Sequence, residues 1–217
     1  MKTEHEHRRE MAAICATLWD KEWVANHDGN ATARLAPGLL LATPTGISKR
    51  LITRENLIVL NEDGERVRGR MRPFSERGLH LKVYQGRSDV GAVLHAHPPH
   101  AMAWSMRATT LPSFTPEAVV SIGAETPVVG LELPGKPAEE ALAPFVSDYD
   151  VVILGSHGVL SWGDDIEQAY LRMELVEHLA RVALLANGVT HLPESIVAPL
   201  LKKRTSAGLG PEARKRS

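Results

Sequence analysis

The chain has 217 residues, of which 43% are hydrophobic and 24% are charged, and its formal net charge is -1. This composition is typical of a globular protein with one buried core, and it excludes a global attraction to nucleic acid or to an anionic membrane. The single cysteine, Cys15, excludes an internal disulfide and favours a reducing compartment. A polar N-terminus and the lack of any run of about 18 apolar residues predict a soluble, cytoplasmic protein.

Helical and extended patterns alternate through the first half of the chain. Helices are predicted over residues 8–25, from the spacing of apolar side chains, and over 76–85, where Ser75 is a preferred N-cap residue. Short apolar runs between turn residues predict three strands, over 31–35, 38–42 and 57–60.

The second half begins with an apolar run over residues 90–94 that is predicted to be a buried strand. A helix with a single apolar stripe is predicted over 164–188, with a capping box at its start and Gly188 at its end. The other predicted elements are short: helices over 100–106 and after Pro137, and strands over 128–133, 151–154 and 159–162. Together they predict one α/β domain whose mixed sheet has helices on both faces.

The last residues differ in composition from the rest. From Lys202 onwards the chain is basic and rich in small residues, so residues 202–217 are interpreted as a flexible tail and residues 1–201 as the domain. A nucleic-acid-binding arm is the alternative, but the run is short and has no aromatic residue that would stack on bases. The sequence therefore predicts neither a nucleic-acid nor a membrane partner.

Two histidines follow the buried strand directly. His95 and His97 are two residues apart, and alternate residues of a strand point to the same face, so their imidazoles are expected to lie side by side. Paired imidazoles suit a divalent cation, zinc above all, with copper, nickel and iron as alternatives. A catalytic zinc has about three protein ligands and an open position, so the pair requires another ligand.

Two further residues complete a candidate metal site. His157 lies between Gly155 and Gly158, in a turn where the backbone can pass close to a ligand, and together with the pair it is predicted to be the third ligand. Alone it would be interpreted as a histidine that hydrogen-bonds to the backbone. Glu76 opens a helix, where the helix dipole favours a carboxylate; beside a metal, the same carboxylate would act as a base.

His100 offers a different ligand set. With His95 and His97 it resembles the spacing of metallo-β-lactamase-type hydrolases, but Pro99 stands where those enzymes have an aspartate. We expect His100 to be a neighbour that shapes the site.

Three segments have the residues from which phosphate-binding sites are built. Turns at residues 28–30 and at Thr45-Gly46 expose backbone N–H groups, and Ser75 lies at a helix N-terminus, where anions bind favourably. Each segment alone is unspecific, because turns of this kind occur in any globular protein.

Taken in order, these segments resemble the class II aldolase/adducin family over residues 8–188. The resemblance is carried by residues 29–30 (GN), 43–47 (TPTGI), 75–80 (SERGLH), 87–101 (RSDVGAVLHAHPPHA), 157–160 (HGVL) and 162–163 (WG), and by the long helix that follows. No single segment is specific, but the ordered set is.

The resemblance implies a single three-layer α/β/α domain with a central mixed, largely antiparallel sheet, assembled as a homotetramer with sites between subunits. It implies one zinc ion per subunit, or another divalent metal, bound by His95, His97, His157 and Glu76, with Glu76 as the catalytic acid/base. The implied ligands of a substrate phosphate are Gly29, Asn30, Thr45, Gly46, Phe74 and Ser75.

The implied reaction belongs to carbohydrate metabolism and cleaves a C–C bond of a ketose phosphate. The metal would polarise the hydroxyl and carbonyl of the substrate, and Glu76 would move protons. An enediolate of dihydroxyacetone phosphate would form as the aldehyde leaves.

The sequence departs from the family pattern at two points. In the aldolase that typifies this family, two serines precede the glutamate. Phe74-Ser75 stands in their place here, so one hydroxyl ligand of the phosphate is missing. None of the three tyrosines, Tyr84, Tyr149 and Tyr170, lies near the C-terminus, so no tyrosine is assigned as the proton donor.

The sequence leaves three alternative functions. A sugar-acid-phosphate decarboxylase of the same fold would also form an enediolate. A pentulose-phosphate 4-epimerase is less similar, since those enzymes have Asp where Glu76 stands. An adducin-like interaction module would have no reason to keep three histidines and a glutamate together. No motif specifies the sugar, and the loop over residues 109–125 is expected to line its pocket.

Overall fold

Runs of apolar residues build a nine-stranded sheet in the computed structural model, which describes residues 2–214. The strands are β1 (Asn30–Ala36), β2 (Leu39–Ala42), β3 (Ile58–Leu60), β4 (Arg66–Arg68), β5 (Ala92–Ala96), β6 (Thr110–Pro112), β7 (Glu125–Val129), β8 (Val151–Leu154) and β9 (Gly158–Gly163). Their spatial order is β4-β3-β2-β1-β5-β9-β8-β7-β6. Neighbouring strands are antiparallel except β7 and β8, so the predicted mixed, largely antiparallel sheet is confirmed.

Helices cover both faces of this sheet. They are α1 (Glu4–Asp20), α2 (Arg77–Gly86), α3 (Pro99–Ser105), α4 (Pro116–Ile122), α5 (Lys136–Leu142), α6 (Ile166–Leu185), α7 (Glu194–Ser206) and α8 (Pro211–Arg214). The first face packs against α1, α3 and α6, and the second against α2 and α5, which confirms the three-layer α/β/α architecture. Across residues 2–214, no helix combines the length and the apolar character that crossing a bilayer requires.

The central strands separate the two helical layers. On β5, Leu94 packs with the α1, α3 and α6 layer, whereas Val93 packs with α2 and α5. Because side chains alternate along a strand, His95 shares the face of Val93 and points toward α2. On the adjacent β1, Ala31 packs with the α6 layer, so Asn30 also faces α2. The strand pattern therefore directs the candidate site residues to one side of the sheet.

Several local predictions were wrong. The N-cap of α6 is Asp165, whose side chain accepts a hydrogen bond from the Gln168 N–H, so the capping box predicted at residue 164 is not formed. Residues 109–125, expected to form a loop, contain β6 and α4; the helix has Pro116 in its first turn, and the Thr115 hydroxyl accepts a hydrogen bond from the Ala118 N–H at 3.3 Å. Ser75 does not cap α2, which begins after Glu76 without a side-chain cap. β6 has only three residues, and the seven residues of α4 make about two turns, so the apolar residues of these two segments show no clear period.

The C-terminal segment is helical where the sequence predicted a flexible tail. The helix α7 extends past Lys202, and Arg204 is 3% exposed. Its guanidinium lies 2.6 Å from the buried carboxylate of Asp150 and donates to two backbone carbonyl oxygens of α4. A buried carboxylate requires charged partners, and a basic composition does not distinguish such an arginine from a solvated one. The last part of the predicted tail, 215–217, lies outside the described residues.

Candidate metal centre and active site

Three imidazoles meet at the end of β5. His95 lies on β5, His97 follows the strand, and His157 comes from the turn between β8 and β9. Since β9 pairs with β5 and Leu160 lies opposite His95, the turn that carries His157 lies beside the histidine pair. The ring centroids are 4.8 to 5.0 Å apart. One nitrogen from each ring lies within 4.8 Å of the others, so the group can hold a metal ion.

Hydrogen bonding determines which nitrogen of His95 faces the site. Its Nδ1 lies 2.9 Å from the backbone carbonyl oxygen of Val159, which can only accept, so Nδ1 carries the proton and Nε2 keeps its lone pair. That Nε2 lies 3.0 Å from Nε2 of His97. On the other side of the His97 ring, Nδ1 is 3.7 Å from the Asp28 carboxylate. Histidines that bind metals commonly have such a partner at the outer nitrogen.

The backbone of the β8–β9 turn directs His157 toward the pair. Ser156 adopts a φ of 52°, in the left-handed region that non-glycine residues rarely occupy. Its N–H donates to Ser105 Oγ at 2.9 Å, so the end of α3 supports the turn. The His157 N–H donates to the Leu154 carbonyl at 3.0 Å and closes the turn.

Gly158→Ala is expected to lower the affinity for a divalent metal. A Cβ at this position would lie 2.8 Å from Cδ2 of His97 and 3.0 Å from Cε1 of His95, and it would press against the carbonyl oxygen of Ala96. Overpacking of this kind costs about 1–3 kcal/mol, and here the strain falls on the imidazoles. Calorimetric titration with Zn²⁺ measures the change. Gly130→Ala is the matched control, because its added methyl group would meet no atom within 4 Å; equal zinc affinity in both variants would contradict the prediction.

Glu76, the residue before α2, directs its carboxylate toward the imidazoles. Oε1 lies 3.0 Å from Nε2 of His157, and Oε2 lies 3.7 Å from Nε2 of His95. Asn30 Nδ2 donates to Oε2 at 2.8 Å. Burial alone would raise the pKa of Glu76, but the contacts with His157, His95 and Asn30 outweigh it and hold the pKa well below its usual range. The group is therefore an anion at neutral pH.

Behind Asn30 lies His80, to which the sequence alone assigned no role. His80 is fully buried; its Nε2 lies 2.6 Å from Asn30 Oδ1 and its Nδ1 lies 2.8 Å from Thr32 Oγ1. The Phe74 ring packs edge-on against it, with centroids 5.0 Å apart. His80 follows Glu76 by four residues, and residues at this spacing at the start of a helix lie on the same side. This spacing is the signal in the sequence that could have identified His80.

Burial keeps these imidazoles neutral. Desolvation lowers the pKa of His97 to about 4 and that of His80 to about 3, and it also lowers the pKa of His95. Neutral imidazole is the form that donates a lone pair to a metal. His95 and His97, the two ligand candidates at the end of β5, are therefore in the binding-competent state at neutral pH.

The metal-free chain is expected to lose stability between pH 7.5 and 5.5, in part through His80. In the fold, burial is the main cause that lowers the pKa of His80 from 6.5 to about 3, and the negative charge of Glu76 opposes the shift. The unfolded chain takes up the proton first, so this contribution is complete above pH 6.5 and is lost as the pH falls toward 3. At pH 5.5 the contribution of His80 alone lowers the free energy of unfolding by about 1.4 kcal/mol.

Urea titrations at the two pH values measure this difference. His80→Gln is the control, because glutamine does not titrate in this range, and its stability should change less with pH. An equal change in both proteins would contradict the role assigned to His80.

The donor set fits a divalent metal. Zinc–imidazole bonds of about 2.0–2.1 Å in a tetrahedral site separate two ligand nitrogens by about 3.3 Å. The Nε2 atoms of His95 and His97 are 3.0 Å apart. Without a metal, Nε2 of His97 can donate a hydrogen bond to the lone pair of His95 at this separation; when both nitrogens are unprotonated, a cation between them would attract both lone pairs. Glu76 lies at the edge of the same group, where a carboxylate can reach the cation.

The predicted phosphate residues Thr45 and Gly46 lie in a turn joined to the segment before Glu76. The Thr45 N–H donates to the carbonyl oxygen of Arg72 at 3.0 Å. A β-bridge also links Pro44, the residue before Thr45, with Pro73, the residue after Arg72. Gly46 is exposed and has a φ of 76°. Two segments that are distant in sequence therefore face the same region.

The other predicted phosphate residues differ in what they expose. Gly29 has a φ of 74° and packs on β5, where a Cβ would lie 3.1 Å from the carbonyl oxygen of His95. The Asn30 amide already contacts a carboxylate and an imidazole. The Phe74 ring is buried in the core, so this residue offers only its backbone N–H. Ser75 is exposed beside the site.

His100 lies outside the three-imidazole group. Its Nδ1 is 2.6 Å from Glu177 Oε1, and the group among residues 2–214 that could hold a metal ion contains His157 instead. The hydrolase-like ligand set is therefore not formed. The Tyr84 hydroxyl lies 3.0 Å from Thr32 Oγ1, and the Tyr170 hydroxyl donates to Glu174 at 2.8 Å; these contacts are within the fold.

A cleft of about 600 Å³ opens beside Glu76 and His157. Its walls are the first turn of α2, the turn after β8 and the segment between β7 and α5, which includes the exposed Leu131. These residues, rather than the 109–125 segment expected from the sequence, line the cleft. A small substrate in it would contact the carboxylate and the third imidazole together.

Residues 9–184 match the family described as the class II aldolase and adducin N-terminal domain. An L-fuculose phosphate aldolase of Methanococcus maripaludis is 30% identical over 180 residues, which are 83% of this chain and 97% of the relative. The L-ribulose-5-phosphate 4-epimerase UlaF of Salmonella paratyphi B is 30% identical over 188 residues, covering 81% of this chain and 82% of its own.

Solved structures show the same fold. YgbL of Escherichia coli, described with aldolase, epimerase and decarboxylase as alternatives, has a TM-score of 0.85 at 27% identity and covers 92% of this chain and 100% of its own. An L-fuculose 1-phosphate aldolase has a TM-score of 0.83 at 24% identity and covers 91% of this chain and 95% of its own. With its fold, its three imidazoles and its match over most of its length, the chain belongs to the class II aldolase and adducin family.

Proposed function

We propose that the chain is a metal-dependent aldehyde-lyase that cleaves a C–C bond of a ketose phosphate to give dihydroxyacetone phosphate and an aldehyde. The observation that carries this proposal is the Glu76 carboxylate, whose Oε1 lies 3.0 Å from Nε2 of His157 beside the other two imidazoles. A base in this position can take a proton from a substrate hydroxyl held at the metal site. The similarity to an L-fuculose phosphate aldolase supports the same reaction class.

Zinc is the proposed ion, one per subunit, because imidazole nitrogens and a carboxylate are ligands that it prefers. When bound, it would polarise the hydroxyl and carbonyl oxygens of the substrate. The ligand set proposed for it is His95, His97, His157 and, before substrate arrives, Glu76.

The protein supplies orientation and proton transfer. Oε1 of Glu76 accepts the proton of the substrate hydroxyl while Asn30 holds Oε2. The C–C bond next to that hydroxyl carbon then breaks, the hydroxyl becomes the aldehyde carbonyl, and the electron pair moves into an enediolate. Glu76 returns the proton to the enediolate carbon, which gives dihydroxyacetone phosphate.

We place the substrate phosphate between the Gly29-Asn30 turn, the Thr45-Gly46 turn and Ser75. The contacts of Thr45 with the segment before Glu76 support this, because they bring two of the turns to one region. Backbone N–H groups in such turns suit an anion. Phe74 is assigned a backbone contact only, since its ring is buried.

Epimerisation and decarboxylation are the rival reactions, since one relative is an epimerase and YgbL is described with all three activities. The deciding experiment incubates the metal-loaded protein with ketose 1-phosphates, a pentulose 5-phosphate and sugar-acid phosphates. Release of dihydroxyacetone phosphate is the expected result. Epimer formation alone, or release of carbon dioxide alone, would assign the chain to one of the rivals. No turnover together with no bound metal would indicate an adducin-like interaction module.

We also propose a homotetramer located in the cytoplasm. The single cysteine is free and buried, which suits a reducing compartment. Large apolar side chains are exposed, among them Leu131, Leu133 and Leu185, and contacts between copies would cover them. Native mass spectrometry measures the number of copies.

A further inference from the structure

One face of α2 carries polar side chains at helical spacing, and the facing strand β1 carries matching partners. His80 and Tyr84 are four residues apart on the helix, and Glu76, the residue just before the helix, continues this spacing; Asn30 and Thr32 are two residues apart along the strand. Four residues of helix rise by about 6.0 Å and two residues of strand by about 6.6 Å. Because the two distances are nearly equal, each polar side chain of the helix lies close to a polar side chain of the strand.

Hydrogen-bond contacts join these side chains into a chain that alternates between the two elements. Asn30 lies between Glu76 and His80, with its Nδ2 2.8 Å from Glu76 Oε2 and its Oδ1 2.6 Å from His80 Nε2. Thr32 lies between His80 and Tyr84, with its Oγ1 2.8 Å from His80 Nδ1 and 3.0 Å from the Tyr84 hydroxyl. We call these five side chains the polar ladder. It runs without interruption from Tyr84, near the end of α2, to the carboxylate of the candidate site.

The direction of every hydrogen bond follows from the carboxylate. Glu76 can only accept, so the amide nitrogen of Asn30 donates to it and the amide oxygen faces His80. His80 must then carry its proton on Nε2 and accept the Thr32 hydroxyl proton at Nδ1. Thr32 in turn accepts from Tyr84. If His80 carried its proton on Nδ1, the lone pair on its Nε2 would face the Asn30 oxygen, and the two would repel. Rotating the Asn30 amide by 180° would remove that repulsion but would place the amide oxygen against the Glu76 carboxylate.

We propose that His80 and Thr32 are positioning residues for Glu76. They orient the Asn30 amide so that it holds Oε2 and leaves Oε1 facing His157 and the substrate. His80 and Thr32 are 0% and 1% exposed, so they act through Asn30 rather than on the substrate. The effect of the ladder on catalysis rests on the proposed lyase function. The direction of its hydrogen bonds, and with it the tautomer of His80, does not depend on that function.

A matched control separates this role from simple packing. Thr126 is buried like Thr32, but its hydroxyl has no hydrogen-bond partner among residues 2–214. Valine has the shape of threonine without the hydroxyl. Thr32→Val therefore removes the hydroxyl that determines the tautomer of His80, whereas Thr126→Val removes a buried hydroxyl that makes no hydrogen bond among residues 2–214.

The tautomer of His80 is the direct test, and it is measured on the metal-free protein. Long-range proton–nitrogen NMR of ¹⁵N-labelled histidine distinguishes a protonated ring nitrogen from an unprotonated one, and the resonances of His80 are assigned by their loss in His80→Gln. We expect a protonated Nε2 in the wild-type protein and in Thr126→Val, and a mixture of tautomers in Thr32→Val. A protonated Nδ1 in the wild-type protein would overturn the proposal.

Kinetics test the consequence for Glu76. Thr32→Val and His80→Leu should lower kcat about 10- to 100-fold, the range seen when residues that orient metal ligands are changed, with little change in KM. His80→Gln keeps an N–H that can donate to Asn30 and should recover most of the loss, and Thr126→Val should retain the wild-type kcat. Should His80→Leu fail to fold, Thr32→Val carries the test.

An unchanged kcat in Thr32→Val would overturn the positioning role, and so would a failure of His80→Gln to exceed His80→Leu. A wild-type protein without lyase activity would instead contradict the proposed function. In that case the NMR measurement alone decides whether the ladder has the direction proposed.

Discussion

Replacing Glu76 with glutamine is expected to lower kcat by about 100- to 10,000-fold, the contribution typical of a general acid–base group, while the chain stays folded. Glutamine has nearly the size of glutamate, and its side-chain oxygen can still accept the hydrogen bond from Asn30. It cannot accept the proton of the substrate hydroxyl at neutral pH. The rate of dihydroxyacetone phosphate release at saturating substrate measures the loss.

Glu140→Gln is the matched control for this change. Glu140 is an exposed glutamate on α5, so the variant loses the same charge outside the site and should keep the wild-type kcat. Circular dichroism and zinc content establish that both variants are folded and loaded. A Glu76→Gln protein with wild-type turnover would show that the base is another residue.

Replacing His97 with alanine is expected to remove the bound metal and, with it, the activity. The His97 Nε2 lies 3.0 Å from that of His95, so its loss opens the ligand set where the two rings meet. Changes to residues that merely orient a ligand cost about 10- to 100-fold in metal affinity, so the loss of a ligand should exceed about 100-fold. The metal content per chain after dialysis measures the effect. Chelation should inactivate the wild-type protein, and added zinc should restore it.

His191→Ala is the control for the histidine change, because it removes an exposed imidazole in the segment before α7. This variant should keep its metal and its activity. Stoichiometric metal in His97→Ala, or none in the purified wild-type protein, would contradict the proposed metal centre.

The three histidines of the candidate metal centre could be predicted because each belongs to a local pattern. His95 and His97 alternate on an apolar strand, and His157 lies between glycines that allow a tight turn. That these patterns meet depends on the pairing of β5 with β9, which joins strands from distant parts of the sequence. Such pairing follows from the whole fold, and no local pattern contains it.

The polar contacts inside the fold were the part that the sequence could not supply. The family resemblance implies a phosphate contact for Asn30, but it does not show that the Asn30 amide contacts Glu76 and His80. Arg204 was assigned to a flexible tail, yet it pairs with Asp150, 54 residues away. A polar side chain can hydrogen-bond either to water or to a side chain that is distant in sequence. The pattern of polar and apolar residues is the same in both situations, so it cannot distinguish them.

The adjacency of β5 and β9 also ties metal capture to folding. His97 and His157 are separated by the chain that forms β6, β7 and β8, so a cation can bridge them only after that segment has folded back. Contacts between distant parts of a sequence form slowly, and an ion that binds only the native state stabilises it by about 2.7 kcal/mol at 100 times its Kd. The supply of metal in the cell would then help to set how much of this protein survives proteolysis.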